Sequence, residues 1–211
     1  MVNVKTYHLP PTPLIPNSPQ PLLHYPGLLA SETSDTILAK AYDLFDSNAW
    51  ELQWIFRYGP TQPSHYHSHT HECMAVLTGS GVIRFGVADT GNDDADHEEG
   101  GVTVSASAGD VFVIPAGVAH KTHEVQPITS FELISPGTGH GIPGENPRKQ
   151  LQEVKLEGFT MLGAYPRGSK GWDFAERIAP GVEMKESWDV EKPLRDPVLG
   201  VAEEGLCGTW K

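Results

Sequence analysis

Four side chains in this sequence have the types and spacing to hold a metal ion. His65, His67 and Glu72 lie in GPTQPSHYHSHTHECMAVLTG (59–79), and His120 ends GDVFVIPAGVAH (109–120). Three imidazoles and one carboxylate form a donor set that borderline divalent transition metals prefer. In an extended chain His65 and His67 fall on one face, so both rings can reach one ion. Glu72 is five residues beyond His67, and a regular strand would turn it away. A bend or bulge within Ser68–His71 is therefore required for it to join. If the strand instead runs on regularly, His69 and His71 compete with His65 and Glu72 as ligands. The bend should turn His69 outward. His71 could hold a ligand from behind or meet a substrate. His71, His123 and Glu124 are the candidate catalytic, proton-transfer groups, although a solvated strand end accounts equally for His123 and Glu124. Tyr66 alternates with the ligands and should point away from the metal.

The elements that must position these groups are mainly strands. From Trp50 the apolar period is two, with Leu52, Trp54, Phe56 and Tyr58 on one side and Glu51, Gln53 and Arg57 opposite. Short β-rich runs follow at 73–77, 82–85, 102–105, 111–114, 131–134 and 159–162. TGSG (78–81) makes a tight hairpin turn, Gly109-Asp110 marks another, and Pro115 with Gly117 turns the chain before His120. Many short strands with few helices point to an all-β sandwich or barrel. One helix is expected in SETSDTILAKAYDLFDSN, with Ile37, Leu38, Ala41, Leu44 and Phe45 on one face and Ser34 or Asp35 as cap.

The first thirty residues are punctuated by proline, which reads as an extended arm rather than a helix or central strand. Its leucines should lie against the body or a partner subunit, and a homodimer is the expected assembly. The division expected is 1–48 for arm and helix, 49–165 for the barrel, and 166–211 for a C-terminal wrap of the same domain. DTGNDDADHEEGG (89–101) reads as a solvated acidic insertion, since its carboxylate spacing fits no EF-hand calcium loop. PGTGHGIPGENPR (136–148) is rich in breakers and could flank the barrel mouth as a lid.

Composition sets limits. At 211 residues with a formal charge of −12, the chain lacks the basic character that nucleic acid or an anionic membrane would require. Cys73 and Cys207 make no disulfide framework, and Cys73 reads as a small buried residue. No run approaches the roughly 18 apolar residues of a membrane span, and the start lacks a signal-peptide core. The expectation is a cytoplasmic protein.

The two motifs also resemble those of the cupin superfamily. Gly59, His65, His67, Glu72 and Gly79 have the spacing of the first cupin motif, and Gly109, Pro115, Gly117 and His120 that of the second. Glu124 departs from the second, where Asn is usual. IPNSPQPLLHYPG, HYHSHTHE, IPAGVAHK, GAYPRG with WDF soon after, and the DPVLG…W ending look like the YjlB-like single-domain cupins. The resemblance implies a jelly-roll barrel with a metal inside, held by His65, His67, Glu72 and His120. Four protein ligands in an octahedral field would leave two adjacent positions for a chelating organic molecule, or for substrate plus dioxygen. Iron would favour dioxygenase-type oxidoreductase chemistry. Manganese, nickel, zinc or copper are the other candidates, and Lewis-acid isomerisation or decarboxylation is the alternative reaction. A non-catalytic ligand-binding cupin is the competing class. Met74, Val76 and Trp54 or Phe56 should give apolar walls, suiting a small apolar or aromatic substrate with a chelating group.

Overall fold

β-branched and aromatic runs separated by turns build ten strands in the computed structural model, which describes residues 2–211. They are β1 (Lys5–Tyr7), β2 (Leu22–Tyr25), β3 (Trp50–Arg57), β4 (Glu72–Thr78), β5 (Ser80–Phe85), β6 (Val102–Ser107), β7 (Val111–Ile114), β8 (His120–Gln126), β9 (Glu132–Leu133) and β10 (Thr160–Pro166). One sheet has the order β1-β2-β7-β4-β10-β3-β9 and the other β6-β5-β8, with every pairing antiparallel. Leu22, Trp54, Met74, Val76, Phe112 and Met161 of the first meet Ile83, Phe85, Val104 and Val125 of the second in one enclosed core. This is the all-β barrel expected from the strand pattern. Gly79 carries the chain from β4 into β5 at φ +71°, and a Cβ there would lie 2.6 Å from the Gly158 carbonyl oxygen. Only glycine fits that turn.

A second core covers the outer face of the larger sheet. It joins Leu23 and Tyr25 of β2, Trp50, Leu52 and Ile55 of β3, and Cys73 of β4 to Phe45, Leu206 and Trp210. The helix α1 (Ile37–Ser47) lies here and buries Ile37, Leu38, Ala41 and Phe45. Thr36, rather than Ser34 or Asp35, stands at its N-cap, and no side chain caps it. Alongside α1 the chain makes single-turn helices α2 (Pro147–Gln150), α3 (Lys185–Trp188) and α4 (Leu206–Thr209). No helix among the described residues is long and apolar enough to cross a membrane.

Three expectations change. The proline-rich arm contains an interior strand, because β2 pairs with both β1 and β7. Pro21 and Pro26 flank LLHY without entering it, so the ladder loses no donor. Ile15, Leu22 and Leu23 are fully buried within their own chain. In β3 the alternation breaks: Gly163 pairs with Trp54 and Ala164 with Leu52, leaving Gln53 as an extra residue. This bulge sends Trp54, Phe56 and Tyr58 into the barrel while Leu52 joins the outer core. Finally, the acidic loop is pinned to the barrel instead of being merely solvated. Asp89 accepts from Arg84 at 2.5 Å and Lys121 at 3.1 Å, and Asp94 lies 2.9 Å from Lys121.

The tail is anchored by Asp196, which is fully buried. Its carboxylate accepts from Tyr25 Oη at 2.5 Å and from the backbone N–H groups of Val198, Leu199 and Leu206 at 2.8–2.9 Å. The Trp210 indole donates to the Pro21 carbonyl at 2.9 Å, so the chain ends packed on the arm with which it began.

Candidate metal centre

The two histidine-bearing segments are stitched together by their backbones. His65 N–H donates to the His120 carbonyl (3.1 Å) and His120 N–H to that of His65 (2.8 Å). Directly opposed antiparallel residues share a face, so both rings enter the barrel together. Gly117, in the turn before β8, donates to the His67 carbonyl at 2.8 Å and fixes the third ring. Ring centroids lie 4.3 Å apart for His65–His120, 5.5 Å for His65–His67 and 5.4 Å for His67–His120. All three can offer ligand atoms within 4.8 Å of one another.

The chain bends at Ser68–His69 before β4 begins, and this reverses the parity of the following residues. Glu72, 1% exposed, thereby faces inward. Its Oε1 is 3.2 Å from His67 Nε2 and its Oε2 is 3.3 Å from His120 Nε2. On the far side of each ring, Nδ1 faces a main-chain carbonyl: Pro63 for His65 (3.2 Å), Asp173 for His67, and Val118 for His120 (3.5 Å). Donation there holds the proton on Nδ1 and leaves an Nε2 lone pair aimed at the centre, the usual support of metal-ligating histidines. Glu72 Oε2 is buried and has no hydrogen-bond partner. A carboxylate oxygen left so, on a group flanked by the His67 and His120 nitrogens at one edge of the triad, fits a cation, because burying it unpaired is costly.

Without a cation, electrostatics keep His65 and His120 neutral and pair His67 with Glu72. Burial, reinforced by the neighbouring rings, holds His65 well below the ordinary histidine value. Burial likewise lowers His120, to about 4. Burial alone would raise Glu72. The His67 charge and hydrogen bond, then His120 and Tyr165, override it and bring the carboxyl to about 2. Burial also opposes a charge on His67, but the adjacent Glu72 carboxylate prevails and raises it.

Tyr165 is a member of this centre that the spacing of the motifs does not disclose. Its hydroxyl donates to Glu72 Oε1 at 2.5 Å, lies 3.5 Å from His67 Nε2, and accepts from Trp54 Nε1 at 2.9 Å. Gly163 makes room for that indole: a Cβ there would fall 2.1 Å from Trp54 ring atoms. The available signal was the GAYPRG segment, which could be singled out only by resemblance. Trp172 and Phe174 also arrive from the tail. Phe174 stacks on His65 at 3.8 Å and 12°, and Trp172 meets His67 edge-on at 5.8 Å.

The three candidate catalytic groups are not brought to the centre. His71 Nδ1 accepts from Ala116 N–H at 3.0 Å and its Nε2 faces the Glu191 carbonyl at 3.2 Å, so both nitrogens are engaged. Burial lowers it to about 4, a neutral ring packed on Trp210. His123 pairs across the ladder with Val82, beside Arg84 and Lys121 on the barrel's outer side. Glu124 is exposed, at φ +52°. His69 is also exposed and hydrogen-bonds Ser68 Oγ at 2.7 Å. Tyr66 packs outward with Ile15, Ala88 and Ala119. A cavity of about 630 Å³ between Trp50, Arg167, Lys170 and the 189–195 segment touches His69 and His71 but none of the triad.

A double-sheeted barrel with an inward histidine triad and carboxylate defines a class, and residues 57–136 match the cupin family model. That match spans less than half of the chain. Over 98% of its length it is 29% identical to the uncharacterized protein YjlB of Bacillus subtilis strain 168, spanning 96% of that protein. Among solved structures it is similar to the WlaRB TDP-quinovose 3,4-ketoisomerase from Campylobacter jejuni, at 11% identity and TM-score 0.32, covering 60% of this chain and 69% of that one. It is also similar to the hydroquinone 1,2-dioxygenase PnpCD, at 15% identity and TM-score 0.27, covering 55% and 59% respectively.

Proposed function

We propose that this cupin holds one divalent transition metal through His65, His67, Glu72 and His120, and that it is an enzyme acting on a small organic molecule by dioxygenase-type chemistry with iron(II). The observation that carries the reading is Glu72 Oε2, buried without a partner 3.3 Å from His120 Nε2. When bound, the ion supplies Lewis acidity and, as iron(II), a place for dioxygen beside a chelating substrate. The chain's own residues do the rest. Trp54, Met74, Val76 and Met161 give the interior its apolar walls, which suit an aromatic or apolar molecule with a chelating group. Trp172 and Phe174 stand against His67 and His65 and keep water from them.

Lewis-acid isomerisation or decarboxylation is a second reading, favoured by Tyr165. Its Oη, held between Glu72 and the Trp54 indole, is placed to give or take a proton beside the ligands. A homodimer, if formed, would use surface other than Leu22 and Leu23, which are buried within one chain.

The test is to purify the chain, measure its metal content, reconstitute it with iron(II) under anaerobic conditions, and follow oxygen uptake with catechols and β-diketones. Stoichiometric iron with substrate-dependent oxygen consumption supports the first reading. Proton exchange or decarboxylation without oxygen uptake supports the second. Stoichiometric binding of a small molecule with no turnover under any metal overturns both in favour of a binding protein.

A further inference from the structure

Residues 172–175 (WDFA) have no regular structure beyond one backbone pair, yet they form a wall of the metal centre. That pair joins Tyr66 and Ala175, with Tyr66 N–H donating to the Ala175 carbonyl at 2.8 Å and Ala175 N–H returning to Tyr66 at 3.1 Å. The Asp173 carboxylate accepts from Ser68 N–H at 2.8 Å. On the outer side the Trp172 indole donates to the Gly139 carbonyl at 2.9 Å and lies flat against His140 at 4.4 Å. On the inner side the Asp173 carbonyl receives His67 Nδ1, and the Phe174 ring lies parallel to His65. Phe174 remains 47% exposed, so it stands between solvent and the site.

We propose that 172–175 is a strap whose closure is thermodynamically coupled to metal occupancy, with Asp173 as the positioning residue. The proposal rests on the reading of the site as a metal centre. A His67 that ligates through Nε2 must keep its proton on Nδ1, and that proton needs an acceptor. The acceptor comes from the strap's main chain, 106 residues away, and not from the barrel. A cation at Nε2 polarises the imidazole and makes Nδ1–H a stronger donor, so the filled site draws the Asp173 carbonyl inward. By reciprocity, the strap must be closed for the site to reach full affinity. A main-chain acceptor cannot be deleted by substitution, but its position depends on the grip of the Asp173 carboxylate on Ser68. The segment's few, partly exposed anchors place it at the low-stability end of the fold, where opening is cheapest. Opening would lift Phe174 from His65 and uncover the centre to a small molecule.

The experiment uses the full chain stripped with EDTA or loaded with zinc, which is redox-silent. Hydrogen exchange is read by mass spectrometry on peptides spanning 170–178, and zinc affinity by competition with a chelating dye. Zinc is expected to slow exchange in those peptides. Asp173→Ala is expected to weaken zinc by about tenfold, the lower range for removal of an outer-shell support, and to lose most of the zinc-dependent protection. Asp173→Asn keeps a side-chain oxygen for Ser68 N–H and is expected to retain both. Stoichiometric zinc with unchanged exchange at 170–178 overturns the strap and leaves the metal centre standing. A wild-type chain that binds no zinc overturns both. If the alanine variant does not fold, the wild-type exchange and the asparagine variant still decide: an asparagine variant that binds zinc about tenfold more weakly than the parent overturns the role given to the side-chain oxygen.

Discussion

Replacing Tyr165 with phenylalanine removes one oxygen from the most crowded polar junction in the barrel. In the folded chain that oxygen donates to Glu72 Oε1 and accepts from Trp54 Nε1. Phenylalanine fills the same space, so no cavity term arises. The loss is twofold. A hydrogen bond to a charged group contributes about 1.5–3 kcal/mol, and a buried indole N–H left unpaired costs about 1–3 kcal/mol. Because the two share one atom and some relaxation is available, about 2–5 kcal/mol of destabilisation is expected. For a chain of this size each kcal/mol moves Tm by about 2–4 °C, so the melt should fall by roughly 5–15 °C. The second consequence is at the metal. Oε1 is tied to the phenol while Oε2 is free to face the centre. Without the tie the carboxylate can rotate, and metal affinity should fall by about 10–100-fold without being abolished. Thermal melts of the stripped and metal-loaded protein, with a chelator competition, measure both effects. A variant that melts and binds metal like the parent would refute the junction. One that loses metal altogether would mean the phenol itself is a ligand.

Other outcomes follow from the same structure. His67→Ala and His120→Ala should each abolish stoichiometric metal, measured by elemental analysis, whereas His69→Ala should retain it, because His69 is exposed and bonded to Ser68; full retention in the His120 variant would refute the assignment. Asp196→Ala strands Tyr25 Oη and three backbone N–H groups in a fully buried position, and urea unfolding should show a loss above about 4 kcal/mol, in the exceptional range for a single substitution. Asp110 is held below the ordinary carboxylate value: burial opposes this, but the His24 ring, 3.8 Å away, and hydrogen bonds from the backbone N–H groups of Gly27 and Ser107 prevail. A depressed folded pKa stabilises the fold above the unfolded value near 3.9, and that stability is lost as pH falls through the folded value. Acid titration of Tm should therefore be flatter below about pH 4 in Asp110→Asn than in the parent.

The parts of the site that could be read from the sequence are those whose geometry is local. His65 and His67 share a face because alternation over two residues survives almost any tertiary context. His120 follows a Pro-x-Gly turn that aims it. Whether Glu72 enters the barrel depends on the Ser68–His69 bend, and the residue types in that bend do not announce it. The bend is held from outside, by Asp173 on Ser68 N–H. The break in β3 has the same character, since the bulge at Gln53 is set by the register of β10, more than a hundred residues later. In β8 the alternation is masked for a different reason. Lys121 and His123 are buried under the acidic loop through Arg84, Asp89 and Asp94, so both faces of HKTHEVQ read as polar or mixed. Tyr165 and Phe174 show the limit most sharply. Each is one aromatic among many, and each acquires its meaning from a partner about a hundred residues away. A ligand set is written in short spacings, but the groups that orient and enclose it come from wherever the barrel's closure happens to deliver them. At this site Tyr165, Trp172, Asp173 and Phe174 arrive from the last fifty residues, so substitutions at these tail positions should act on the metal as changes beside the histidines do.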